Sequence, residues 1–238
     1  MQLFYNDELI DQTHYRLDKN ESSHIVKVLR KKTGNTLHIT NGLGTLFIAE
    51  IILDDARHCE VKIIDKKHFP PANFHTHIAI APTKMNDRLE WFVEKAVEIG
   101  VQEISPIICD NSERKILKTE RIQKIAIAAM KQSLQYHLPK INPPISFKEF
   151  VQASHANTHL FIAHCEDDSN KINLFDSVSA KQNNLVLIGP EGDFSPQEIK
   201  MALSRNFQAV SLGDNRLRTE TAALAAVHTI ALKNMKDV

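Results

Sequence analysis

The residues with the most chemical capacity lie between Leu185 and Val227. Arg218 and Glu220 stand two apart, where a glycine-bearing loop gives way to a helix signal. A guanidinium and a carboxylate placed there can hold a developing anion or take a proton. Glu191 and Asp193 add two carboxylates in a second loop, Gly189-Pro190-Glu191-Gly192-Asp193. The chain has seven glycines, and Gly189, Gly192 and Gly213 fall in these two loops. Glycine used so sparingly and in one place suggests backbone that must come close to a ligand.

The flanking residues say how those loops are held. Leu185–Ile188 and Ala209–Leu212 read as buried strands. Ser195-Pro196-Gln197-Glu198 reads as a helix start, with Ser195 as N-cap, Pro196 at the first position and Glu198 closing a capping box. Thr219 is expected to cap a second helix rich in Ala222, Ala223, Ala225 and Ala226. Strand, loop and helix in that order, twice, argue for a parallel α/β sheet whose ligands bind at the carboxyl ends of the strands. Neither loop carries GxGxxG or the P-loop pattern, so a pyrophosphate cradle is not supported. The acidic loop repels phosphate and favours a ligand with a cationic or neutral reactive end. A sulfonium is one such group, although composition alone does not single it out.

Upstream, His75–Ala81, Val101–Ile108 and Leu160–His164 read as further strands. Helices are expected over Arg88–Ile99 (capped by Asn86 or Asp87 and ended by Gly100), Thr119–Leu134 and Phe147–Ala153. Residues 1–70 read as a small strand-rich module, and Pro70 to Asn73 as a linker to a second domain over 74–238. In the module, strands are expected over Thr36–Thr40, Leu46–Leu53 and Cys59–Ile64, with a turn at Asn41-Gly42. A helix over Glu21–Lys32, capped by Ser22 or Ser23, carries Lys27, Arg30 and Lys31, a solvated helix end or a phosphate-contacting patch.

Lys plus Arg equals Asp plus Glu at 29 each, so nucleic-acid binding would need a local patch rather than a global field. Three scattered cysteines, Cys59, Cys109 and Cys165, fit a reducing cytoplasm better than disulfides or a thiolate zinc site. The N-terminus lacks a signal pattern, and no apolar run is long enough for a bilayer. His75-x-His77 and the His155, His159 pair lack a familiar ligand spacing, so no metal is expected.

Two blocks, GPEGDF-SPQEI and LGDNRLRTETAA, resemble the C-terminal signatures of the SPOUT (trefoil-knot) methyltransferases. More narrowly, they resemble the ribosomal RNA small subunit methyltransferase E family. The likeness extends to Lys84–Gly100, to Lys131-Gln132-Ser133 with Pro139, and to His24–Arg30 followed by Gly34, which resembles a PUA-like module. The chain departs from the family pattern at Met1-Gln2-Leu3, where an arginine is usual, and at Leu134-Gln135, where Gly-Arg is usual. The resemblance implies a PUA-like β-barrel domain before a SPOUT α/β knot, an S-adenosylmethionine cofactor and a homodimer. It also implies methylation of N3 of a uridine in 16S rRNA within the small subunit.

On that reading Ile188, Gly189, Glu191, Gly192, Leu212, Gly213, Leu217, Thr221 and Cys165 hold the cofactor. Leu160–Cys165 supplies a third wall, with His164 or Cys165 near its mouth. Uracil N3 carries a proton, so the reaction needs a base or a cation that stabilises the anion. Arg218 is the first candidate for the catalytic cation, its other role being a bridge to Glu220 or Glu191. Glu220 is the second catalytic candidate, its other role being a first-turn carboxylate. Glu191 or Asp193 is a candidate base or sulfonium partner. Lys27, Arg30, Lys31, Lys84, Arg88 and Arg114 are the candidate RNA contacts. Two alternatives remain: a SPOUT enzyme for ribose 2′-O methylation, and a catalytically silent RNA-binding assembly factor.

Overall fold

The computed structural model describes residues 1–166 and 171–235, in two compact units. The first unit is Met1–Pro71 with Met130–Leu138. Its strands are β1 (Leu3–Tyr5), β2 (His14–Arg16), β3 (Thr36–Thr40), β4 (Thr45–Leu53) and β5 (Glu60–His68), in the order β1-β3-β4-β5-β2. β1 runs parallel to β3, and the other pairs are antiparallel. The expected turn is present. Asn41 Oδ1 accepts the Leu43 N–H at 2.9 Å, and Gly42 and Gly44 take φ values of 73° and 88°. At Gly44 a Cβ would lie 2.4 Å from the Phe69 carbonyl oxygen, so the position excludes a side chain on space as well as φ. Leu138 N–H donates to the Gly42 carbonyl at 2.8 Å, which brings Met130–Leu138 into this unit. An expectation of two contiguous stretches does not include that segment.

The expected helix over Glu21–Lys32 is corrected. Helix α1 spans Lys19–Ser23, passes into π-helical turns over His24–Val28, and stops there. Asp18, not Ser22 or Ser23, is the N-cap, with Oδ1 accepting from Asn20 and Glu21 N–H. Ser22 is buried and uses its hydroxyl elsewhere, donating to Leu17 O and accepting from Cys59 N–H. Arg30 sits at φ 54°, outside any helix. Ile25 reaches the core formed by Phe4, Leu37, Ile39, Phe47 and Ile51, whereas Val28 is exposed.

The second unit is Ala72–Ala129 with Pro139–Val238. Its elements are β6 (Thr76–Ile80), α2 (Asn86–Ile99), β7 (Glu103–Ile108), α3 (Thr119–Gln132, whose last residues belong to the first unit), β8 (Lys140–Ile141), β9 (Ile145–Ser146) and α4 (Phe147–Gln152). After these come β10 (His159–Ala163), β11 (Ile172–Asn173), α5 (Leu174–Ser177), β12 (Asn184–Ile188), α6 (Pro196–Ser204), β13 (Gln208–Ser211) and α7 (Thr219–Asn234). The sheet order is β11-β13-β10-β12-β6-β7-β8, with β9 on β7, and every pairing is parallel. β6 and β12 are buried at every position, as strands covered on both faces must be. On one face Ala79, Leu185, Leu187 and Ile162 pack with Phe147 and Phe150 of α4 and with Ile199 and Ala202 of α6. Helices α2 and α7 pack against each other, and α7 also lies on β6 and β12. The chain leaves β13 near one edge of the sheet and returns to its centre as α7, so the β13–α7 loop has to cross the ends of β10 and β12.

The expected N-cap of α2, Asn86 or Asp87, is also corrected: Met85 holds that position, without a side-chain cap. Gly100 ends the helix at φ 107° as expected.

At the opposite end of the sheet a polar group, buried at His77 and Ser105, links the starts of β6 and β7. His75 Nε2 lies 3.0 Å from Glu103 Oε2, and His77 Nε2 shares a 2.7 Å hydrogen bond with Ser105 Oγ. Among the described residues no three His, Cys, Asp or Glu side chains are arranged to hold a metal ion. Burial pushes the His77 imidazole down to about 4. The His75 hydrogen bond holds the Glu103 carboxyl well below the usual carboxylate range. For His77, the unfolded chain takes up a proton near pH 6.5 that the folded chain refuses until about pH 4. Glu103 acts in the same direction, because a depressed carboxylate loses its stabilising interaction as pH falls. Urea denaturation should therefore show stability falling by on the order of 3 kcal/mol from pH 6.5 to 4 on account of His77. His77→Gln should flatten that part of the profile.

Candidate active site

The end of β10 and the loops after β12 and β13 converge at the carboxyl ends of those strands, where a parallel sheet presents free backbone groups. The β12–α6 loop is fixed from both ends. Ser195 Oγ accepts the Glu198 N–H, and Glu198 Oε2 accepts the Ser195 N–H at 2.8 Å, so the expected capping box is formed. Glu198 Oε1 also accepts the Asp110 N–H at 3.0 Å. Burial raises the Glu198 carboxyl above its ordinary value. At the loop's start, a Cβ on Gly189 would lie 3.1 Å from the Phe194 ring, so glycine lets the turn close on that ring. Asp193 stands at φ 63°. Its Oδ1 accepts the Phe194 N–H at 2.8 Å and its Oδ2 the Cys165 N–H at 2.7 Å, which ties this loop to the end of β10.

The β13–α7 loop leads to the two catalytic candidates, Arg218 and Glu220. Gly213 takes φ 130°, and Ser211 Oγ donates to its carbonyl at 3.0 Å. The expected cap is shifted by one residue: Arg218 is the N-cap, and Thr219 is the first residue of α7. The Thr219 hydroxyl donates 3.0 Å to the Gly189 carbonyl instead, joining the two glycine loops. Arg218 is exposed and makes no ion pair among the described residues, so the alternative role as a bridge to Glu220 or Glu191 is not seen. Glu220 is buried, and its Oε1 lies 3.9 Å from Arg88 Nε on α2.

Two adjoining cavities open between these loops. One, of about 330 Å³, is lined by Ala163, Cys165, Ile188–Glu191, Asp193, Arg216–Thr219 and Ala222. The other, of about 570 Å³, is lined by Ala163–Cys165, Lys171, Val210–Leu217 and Ala222. The structure thus brings together Ile188, Gly189, Glu191, Leu212, Gly213, Leu217 and Cys165 from the expected cofactor set, with His164 at the second cavity. Burial and nearby Asp193 raise the Cys165 thiol, so it is a neutral lining group. Gly192 is not in either wall: it packs on Asn111, whose Nδ2 donates to the Gly192 carbonyl at 3.1 Å. Thr221 lies instead in a neighbouring cleft with Arg88, Arg218 and Glu220.

The expected RNA contacts separate. Arg114 donates to the Thr83 and Lys84 carbonyls at 3.2 and 2.7 Å, so its guanidinium braces the β6–α2 loop. Lys84 N–H donates to Glu191 Oε1 at 2.9 Å, while its exposed ammonium pairs with Glu113, which raises the ammonium above its ordinary value. Lys31 Nζ donates to Thr36 O at 3.1 Å and remains on the surface of the first unit with Lys27 and Arg30. Arg216, Lys171, Pro190, Trp91 and Ala222 are lining residues that sequence reasoning misses. Arg216 carried a signal, standing two residues before Arg218 in the same loop.

Residues 70–231 match the RNA methyltransferase domain family, and residues 17–68 match the RNA methyltransferase PUA domain. A relative from Borreliella burgdorferi, ribosomal RNA small subunit methyltransferase E 2, is 30% identical over 208 residues, 84% of each chain. The chain belongs to the ribosomal RNA small subunit methyltransferase E family of RNA methyltransferases. Its fold is that of this family, a PUA-like unit and a SPOUT α/β trefoil-knot unit. A "probable rRNA-methyltransferase" structure from Porphyromonas gingivalis shares 40% identity, with a TM-score of 0.90 and 98% of both chains covered. The Neisseria gonorrhoeae member of the family, in a structure bound to S-adenosyl methionine, is 27% identical with a TM-score of 0.82, again over 98% of both chains. No helix among the described residues is long and apolar enough to cross a membrane.

Proposed function

We propose that this protein methylates N3 of a specific uridine in 16S rRNA, with S-adenosylmethionine as methyl donor and a homodimer as the working form. The observation that carries the reading is the convergence of the end of β10 with the β12–α6 and β13–α7 loops on two cavities, with Arg218 at their edge and Glu220 in the adjoining cleft. S-adenosylmethionine supplies an electrophilic methyl on a sulfonium. The lining fits such a group: Ala163, Ile188, Leu217 and Ala222 offer apolar walls, while the loop backbones offer donors and acceptors to a nucleoside. Glu191 and Asp193 put negative charge in the cavity wall, which suits a sulfonium and disfavours phosphate. Both Asp193 oxygens already accept backbone N–H groups, so Asp193 shapes the site and is not the base.

Arg218 lines both the 330 Å³ cavity and a neighbouring cleft, and its planar fork suits a uracil carbonyl oxygen that gains charge as N3 loses its proton. Lys27, Arg30, Lys31 and Lys84 supply the sequence-independent cationic share of RNA affinity. Incubation with tritiated S-adenosylmethionine and undermethylated small subunits, followed by digestion, should put the label in 3-methyluridine. Label in a 2′-O-methyl nucleoside, or cofactor binding without transfer, would replace this reading with one of the two alternatives.

A further inference from the structure

The start of α7 faces a third cleft, of about 740 Å³, walled by Asp87, Arg88 and Trp91 of α2 and by Arg216, Arg218 and Glu220. Glu220 is the unusual group. It is 6% exposed, yet its Oε2 accepts no hydrogen bond among the described residues. Its Oε1 lies 3.9 Å from Arg88 Nε, too far for a hydrogen bond. A buried carboxylate oxygen without a donor is costly, and such groups mark places where a donor arrives from outside the chain. Trp91, 44% exposed, offers an aromatic face in the same cleft. Arg216 and Arg218 line this cleft and the 330 Å³ cavity alike, so a group seated here reaches the methyl donor across them.

The chemistry defines the occupant. A cation, a donor-free carboxylate oxygen and a second cation match a planar imide, an N–H between two carbonyl groups. We propose that this cleft seats the target base, that Glu220 Oε2 accepts the uracil N3–H proton, and that Arg88 and Trp91 hold and select the base. The inference rests on the uridine-N3 reading above. Cytosine presents a lone pair at N3 and would leave Glu220 facing it without a donor, so the cleft rejects cytosine. In the step, the N3–H proton passes to Oε2 as the new N3–carbon bond forms. The methyl–sulfur bond breaks, its electron pair stays on sulfur as a neutral thioether, and Glu220 then gives the proton to water. Arg88 and Arg218 offset the charge on the two uracil oxygens.

The test uses the full chain, tritiated S-adenosylmethionine and undermethylated subunits. Rates are read from neutral pH up to the range in which uracil N3–H ionises unaided. The charged groups facing Glu220 throughout are Asp87, Arg88, Arg216 and Arg218. Glu220→Gln should lower kcat by roughly 10²–10⁴-fold at neutral pH with the cofactor Kd unchanged, and the deficit should shrink as pH rises. Trp91→Ala should raise KM for the subunit, and Trp91→Phe should restore it. A Glu220→Gln deficit that is constant across pH, or absent, overturns the proton transfer. An unchanged KM in Trp91→Ala overturns the base pocket. Wild-type label in any nucleoside but 3-methyluridine overturns the underlying reading, and this inference with it.

Discussion

Arg218→Ala should lower kcat by roughly 10²–10³-fold and leave the cofactor Kd nearly unchanged. The reason is positional. Arg218 is the N-cap of α7 through its backbone alone, with φ −70° and ψ 155° and no side-chain cap, so truncation leaves the helix start intact. Its guanidinium is exposed and has no ion-pair partner among the described residues, so no fold contact is lost with it. On the proposed uridine-N3 reading, what disappears is a cation that meets charge present only as N3 loses its proton. An interaction of that kind appears in kcat and not in ground-state binding. Arg218→Lys should recover part of the loss, because the charge returns but the planar fork does not. Single-turnover transfer beside a calorimetric cofactor titration separates the two quantities. An Arg218→Ala enzyme with full turnover would remove Arg218 from the chemistry.

The parts of this protein that are legible in its sequence are those set by short-range physics. The capping box at Ser195, Pro196 and Glu198 is written within four residues, and it forms as written. Gly100 stops α2 in the left-handed conformation that its position demands. The same local logic misplaces Thr219, because its hydroxyl goes to the Gly189 carbonyl thirty positions away, a competitor no local pattern reveals. Ser22 fails as a cap for a related reason, since Leu17, just upstream, and Cys59, from across the module, claim its hydroxyl.

The site divides along the same line. Loop glycines announce close approach but not what approaches. Gly189 closes on Phe194 beside a cavity wall, whereas Gly192 only makes room for Asn111. Arg88 reads from the sequence as a candidate RNA contact on an amphipathic helix. Only the packing of α2 on α7 sets it beside Glu220. The identity of the ligand was legible through family resemblance and not through composition, since an acidic glycine loop fits many cationic or neutral groups.

Asp193→Ala should destabilise the fold by about 2–3 kcal/mol and weaken cofactor binding by about tenfold. Three costs coincide at one half-buried residue. Two charge-assisted hydrogen bonds to backbone N–H groups vanish, at Phe194 and at Cys165. The φ of 63° is one that alanine adopts only with strain, whereas aspartate and asparagine tolerate it. The third cost falls on function. The Asp193–Cys165 bond ties the β12–α6 loop to the end of β10, and residues of both line the 330 Å³ cavity. Without it the two walls lose their fixed separation, and binding must order them afresh. Asp193→Asn keeps the backbone conformation and one acceptor, so its losses should be about half as large in both measurements. Urea denaturation and cofactor titration on the two variants distinguish this from an electrostatic role. If Asp193 acted mainly by attracting a sulfonium, Asn and Ala would weaken binding equally and leave stability unchanged.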